Sequence, residues 1–261
     1  MDGDYGAMPP TAPAVAEGSP PASQGVIMLM SQIGVVNYST TPDAEVARWA
    51  AASEAQMRND VAPIWHLPAP TLQLVAPGVM VTVDGWVVVV DDAAQRSGLG
   101  FHEMYSGRPV GYVLVEYTKR FRQTPSRVFS HEVLEMAIDP TATRTVNINN
   151  TLYLIEPGDI LAYDAGGYLL NGVLVSGFAT PAYYWLEGGA RFGFSRNLPG
   201  PLPAKDPDGT VLSWYENGTV KFEAAAPTPE LAEFAAVHEA SRRYRRSLDR
   251  AEWIDVPVMT T

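Results

Sequence analysis

The sequence predicts an α+β fold: elements in the order β-α-β-β-β-β-α, then an irregular β-rich region, then a terminal helix. Three observations carry this prediction. Valine-rich segments of strand length, such as 71–75 (TLQLV) and 86–92 (WVVVVDD), are bounded by Pro-Gly and Asp-Gly turn signals. Two segments open on Thr-Pro followed by acidic residues, at 41–45 and 228–230, which is a helix-start pattern. Between residues 145 and 225 the chain is strand-like and densely punctuated by Gly and Pro.

Residues 1–24 are rich in Pro, Ala, Gly and Ser, a composition that buries too little apolar surface to order itself. They are expected to form a flexible arm, with the folded domain spanning 25–227 and a helix and tail at 228–261. The stretch 25–39 reads as the first strand. A helix follows over 42–59, with Thr41 as N-cap, Pro42 in the first turn, and Val46, Trp49, Ala50 and Met57 on one face. Strands are expected at 71–75, 79–83, 86–92 and 109–118. The loop 119–127 then leads into a helix carrying 128–138 (VFSHEVLEMAI), which Asp139-Pro140 stops. A last helix spans 228–253, with acidic residues first and arginines last, as the helix dipole favours.

The 46% hydrophobic content and six tryptophans across 261 residues favour a folded core. Cysteine is absent, which excludes disulfides and thiolate metal sites. The net charge of −11 argues against binding a phosphate backbone, so no nucleic-acid partner is expected. The apolar run 26–36 is too short and too interrupted to cross a bilayer, and no secretory leader is visible. The expected location is therefore the cytoplasm or a virion, without a membrane partner.

The chemistry concentrates in SHEVLEMAIDP, residues 130–140. On a helix, His131 and Glu135 are four apart and share a face, so both can hold one metal ion. Glu132 then lies beside the first ligand, near any water on that ion. Zinc accepts imidazole nitrogen and carboxylate oxygen at similar distances, about 2.0–2.2 Å. A carboxylate-rich set also suits harder divalent ions. Asp139, four residues beyond Glu135, is a further candidate as ligand or orienter.

These residues resemble the His-Glu-x-x-His helix of zinc peptidases, with Glu135 in place of the second histidine. That resemblance implies that Glu132 takes the proton of the metal-bound water. Glu156, 25 residues after His131, and Asp159 are similar in placement to the third ligand and following aspartate of the thermolysin-like branch. More widely, SHEVLEMAIDP, EPGD (156–159) and NGVLVSGFATPAYYW (171–185) resemble a family of uncharacterised bacterial and bacteriophage proteins related to zincin-type metalloproteases. The stretches 58–65 and 98–115 are also similar to it, so the resemblance covers roughly residues 25–195. It implies a mixed sheet, a substrate-binding edge strand and an active-site helix behind it. It also implies metal ligation by His131, Glu135, Glu156, Asp159 or Asp139, with Glu132 catalytic. The chain departs from the family's Glu-x-Cys-Asp form at Gly158.

His102 forms a second His-Glu pair with no ligand four residues on, and reads as a loop or structural histidine. His66 and His238 have no supporting pattern, and 238–246 reads as a solvated helix end whose arginines suit an acidic partner. Tyr163, Tyr168, Tyr183, Tyr184 and Trp185 gather downstream of these residues; such aromatics more often fill a core, and the alternative is a tyrosine that stabilises an oxyanion. Two functions compete. One is a zinc-dependent hydrolase acting on a peptide or protein substrate. The other is an assembly protein of a bacteriophage virion on a degenerate zincin-like body, whose partners would engage the arm and the last helix.

Overall fold

A computed structural model describes residues 28–91, 98–206, 209–216 and 219–225. The expected arm at 1–24 and helix at 228–253 lie outside the described residues. The architecture is mixed α and β, with a five-stranded sheet, a four-stranded sheet and a two-stranded ribbon.

The main sheet contains β1 (Gln32–Asn37), β2 (Thr71–Val75), β3 (Gly85–Val90), β4 (Gly100–Tyr105) and β5 (Arg108–Leu114), ordered β2-β1-β3-β5-β4. β1 pairs in parallel with β2 and β3, and β3 in parallel with β5. Only the edge strand β4 is antiparallel, to β5. Parallel strands need a crossover. Between β1 and β2 this is α1 (Asp43–Gln56), continued by a wide turn, Met57–Val61, and by α2 (Ala62–Trp65). Pro42, not Thr41, is the N-cap residue of α1.

β3 is buried along its whole length, because both faces of the sheet are covered. Alternate residues divide between two cores. Val35, Val87, Val89 and Val113 pack towards Trp49 of α1 and Phe129, Val133 and Met136 of α4 (Pro125–Ile138). Val36, Val88, Val90, Tyr112 and Leu114 line the opposite face, where Phe101 stacks on Tyr112 at 4.7 Å between ring centroids.

Three expected boundaries are corrected. Residues 79–83 form no strand, and Val79 and Met80 are exposed after the turn at Gly78. The strand lies instead at 100–105, for which the sequence pattern predicts no element; Ser106 and Gly107, both at positive φ, make a two-residue hairpin turn to β5. The strand expected to reach 118 ends at Leu114, and Val115–Arg120 forms α3. The helix α4 also starts three residues early, at Pro125, because Thr124-Pro125 is itself a start signal.

Beyond α4, β6 (Thr145–Ile148), β7 (Thr151–Leu154), β10 (Thr210–Glu216) and β11 (Thr219–Ala225) form an antiparallel sheet, ordered β11-β10-β7-β6. The ribbon of β8 (Tyr168–Leu170) and β9 (Val173–Val175) turns at Asn171-Gly172, both at positive φ. Residues 190–194, expected as strand-like, contribute only an isolated bridge from Gly193 to Ala179. Among the described residues no helix is long and apolar enough to cross a membrane.

This arrangement encloses α4. Every residue from Ser126 to Ile138 is buried, against β4 and β5 on one side and the β9 segment on another. Ser126 Oγ donates to Leu174 O at 2.8 Å, and Ser176 N donates to Ser130 Oγ at 2.7 Å. The close approach to the sheet depends on Gly111 of β5. A Cβ there would stand 2.7 Å from Met136 Sδ and 3.1 Å from Glu132 Cβ. Gly111→Ala is expected to destabilise the protein by about 1–3 kcal/mol through overpacking, measured as a lower midpoint in urea.

Candidate metal centre

α4 carries four ionisable residues, Arg127, His131, Glu132 and Glu135, on a helix with no exposed face. Charges are buried only when paired or bound to a metal, since isolated burial is prohibitively costly. The surroundings of α4 supply partners from three directions.

His131 and Glu135, one turn apart, converge as the i, i+4 spacing predicts, with Nε2 3.3 Å from Oε2. Asp159, on the short helical turn Asp159–Leu161 after β7, places Oδ1 3.5 Å from the same His131 Nε2. Its backbone N donates to Glu135 Oε1 at 3.3 Å. These three residues offer donor atoms all within 4.8 Å of one another. Gly158 makes the approach feasible: a Cβ there would lie 2.5 Å from His131 Nδ1. The site therefore holds an imidazole where a side chain at 158 would intrude.

From the edge strand β4, His102 reaches the other side of Glu135. Its Nδ1 is 3.5 Å from Glu135 Oε2 and 3.8 Å from Glu132 Oε2. His102, Glu132 and Glu135 form a second group of convergent donors. His102 Nε2 lies 3.1 Å from the carbonyl oxygen of Asp139, so this nitrogen carries a hydrogen and Nδ1 faces the carboxylates. His102 is thus not a loop residue but part of the buried cluster. Its sequence signal was only the His-Glu pair, because antiparallel pairing of β4 with β5 is what brings it to α4.

Two other expected ligands sit differently. The Asp139 carboxylate accepts hydrogen bonds from Arg144 N at 2.7 Å and Thr141 Oγ1 at 3.1 Å, closing the turn after α4. Glu156 is buried on the loop before Asp159 and belongs to neither group of convergent donors. Asp159 occupies the third position beside His131 and Glu135.

The donor set fits a divalent cation. For metal–ligand bonds of about 2.1 Å, the edges of a coordination tetrahedron are about 3.4 Å. The separations from His131 Nε2 to the two carboxylates bracket that length, and both exceed an ordinary charge-assisted hydrogen bond of about 2.7–2.9 Å. One neutral imidazole and two carboxylates would also leave a divalent ion electrically balanced. Beside these groups is a cavity of about 20 Å³, lined in part by Gly100, Arg127, His131, Glu132 and Asp159. That is room for about one water.

Without a metal, protons must balance the same carboxylates. Burial pulls both histidines down, but Glu135, with Glu132 beside it and Asp159 near His131, outweighs it and raises His131 and His102 from 6.5 to about 9. Burial pushes Glu135 up, and the two imidazoles overcome this and hold it well below the usual carboxylate range.

No family model, curated protein sequence or solved structure matches the chain.

A histidine whose folded pKa is raised binds more protons folded than unfolded between pH 6.5 and about 9. Its stabilisation is complete below 6.5 and disappears as pH rises through about 9. The chelated protein is therefore expected to melt at progressively lower temperature from pH 6.5 to 9, read by calorimetry, and His102→Gln is expected to flatten that slope.

Proposed function

We propose that the chain is a divalent-metal-dependent hydrolase of peptide bonds on a zincin-like scaffold, with zinc held by His131, Glu135 and Asp159. The observation that carries this reading is the donor spacing: two carboxylate oxygens at 3.3 and 3.5 Å from one imidazole nitrogen, all buried. The mixed sheet supports the scaffold assignment. Its one antiparallel strand, β4, lies at the edge beside α4, which is where an extended peptide adds to a sheet.

A zinc ion there supplies a Lewis acid and lowers the pKa of a water it binds. The protein's own residues do the rest. Glu132, which lines the cavity next to His131, accepts the proton of the attacking water. As the C–N bond breaks, it passes that proton to the departing amine nitrogen. Gly100 gives its carboxylate room, since a Cβ at that position would stand 2.5 Å from Glu132 Oε1. His102, anchored on the Asp139 carbonyl, orients Glu132 and Glu135 without touching substrate. Three carboxylates and two imidazoles in one buried cluster are a large electrostatic investment for a helix that serves packing alone.

Metal analysis of the purified full chain is expected to give one zinc per chain, and His131→Ala to give none. Glu132→Gln is expected to retain zinc while hydrolysis of a casein substrate falls by about 10²–10⁴-fold. A wild-type chain free of metal after zinc loading, or full proteolysis by Glu132→Gln, contradicts the reading.

A further inference from the structure

The cavity beside His131 has a cationic wall that the reading above does not use. Arg127 lies one turn before His131 on α4 and is 2% exposed. Its Nε is ion-paired with Asp164 Oδ1 at 3.2 Å, and Asp164 is itself held by Thr124 N at 3.1 Å and Gln123 Oε1, which accepts from Asp164 N at 2.9 Å. The ion pair keeps the guanidinium beside Asp164, although Nε makes no hydrogen bond there. Its Nη1, buried, has no hydrogen-bond partner among the described residues. Arg127 also lines the cavity together with His131, Glu132 and Asp159.

We propose that Arg127 makes this cavity an anion-binding site, whose Nη1 donates to the oxygen of a substrate carbonyl as that oxygen becomes negative. The inference deepens the hydrolase reading and rests on it for the identity of the reacting group. A buried N–H donor without an acceptor is costly, and an oxygen gaining negative charge would supply the acceptor that Nη1 lacks. The volume, about 20 Å³, admits one oxygen and no side chain, which selects the reacting oxygen over a specificity group. Tyrosine, the residue type weighed from the sequence for this role against core packing, does not line the cavity. Tyr184 is fully buried on the side of Glu135, Glu156 and Asp159, and burial, with the neighbouring negative charges, raises its hydroxyl well above its ordinary pKa.

The step balances. The water oxygen forms a bond to the carbonyl carbon, and the carbonyl π pair moves onto oxygen. The water's proton goes to Glu132, and Arg127 pairs with the new oxyanion. When the oxyanion collapses, the C–N bond breaks and Glu132 returns the proton to nitrogen. Arg127 gives up no proton at any stage, as its basicity requires. Its interaction grows with the charge, so it acts on kcat more than on KM.

The test titrates inorganic phosphate, as a probe for the anionic oxygen, into the zinc-loaded full chain and its Arg127→Met and Arg127→Lys variants by calorimetry. Arg127→Met is expected to weaken phosphate at least tenfold with zinc content unchanged, and Arg127→Lys to restore part of the affinity. On a peptide substrate, Arg127→Met is expected to lower kcat by about 10²–10³-fold with KM within about threefold. If Arg127→Met does not fold, Arg127→Met/Asp164→Asn removes both partners of the ion pair and carries the same expectation. Phosphate affinity and kcat unchanged in a folded variant that only melts earlier would overturn the proposal. Absence of zinc from the wild type sinks the hydrolase reading separately. Phosphate binding by the metal-free chain then still reports on Arg127, supporting the anion site if Arg127→Met abolishes it and overturning it if not.

Discussion

The structure depends on how the negative charge buried around α4 is neutralised. Glu132 and Glu135 sit three residues apart on a helix with no solvent face, and Asp159 is brought against them from the loop after β7. Like charges at this depth cannot all ionise unless cations are placed among them. Arg127 is one such cation and pairs with Asp164. His102 and His131 are the others, and each ring has a nitrogen aimed at Glu135 Oε2. The cluster is balanced by protons on the two imidazoles, or by a divalent ion among His131, Glu135 and Asp159 with His102 still protonated beside Glu132. Metal binding and proton binding then compete for the same carboxylates.

The scaffold serves this balance. The helix lies within reach of the sheet only because Gly111 and Gly100 leave space for Met136 and the Glu132 carboxylate. Gly158 leaves the corresponding space for His131. Three glycines on three segments thus define the depth of the site, while the valine-rich strands behind it supply a rigid apolar wall. Rigidity matters, because donors held near the spacing of a coordination shell need little reorganisation to bind an ion.

The helix and its chemistry were legible in the sequence because both depend on local spacing. His131, Glu132 and Glu135 need only the 3.6-residue period to share a region, and Asp159 was visible as an acidic residue following a turn. Its place as third member, ahead of Glu156, was not visible, since it rests on the short helical turn that points Asp159 inward. His102 and Arg127 were missed for a related reason. One reaches α4 through antiparallel pairing of an edge strand, and the other is orientated by an aspartate 37 residues downstream. The exchange of a strand at 79–83 for one at 100–105 has the same origin. The valine alternation at 79–83 suits a strand but pairs with no strand among the described residues, whereas 100–105, with Gly, His and Glu, is a poorer strand sequence fixed by its hairpin.

Proton release on metal binding tests the balance most directly. Calorimetric titration of the chelator-stripped chain with zinc at pH 7.5, repeated in buffers of different ionisation enthalpy, counts the protons displaced. With His131 raised to about 9, the imidazole is protonated at that pH and must lose its proton to become a ligand. The account predicts one bound zinc and about one proton released per ion, falling towards zero as pH rises past 9. Tight binding with no proton released at pH 7.5, or no binding at all, would contradict it.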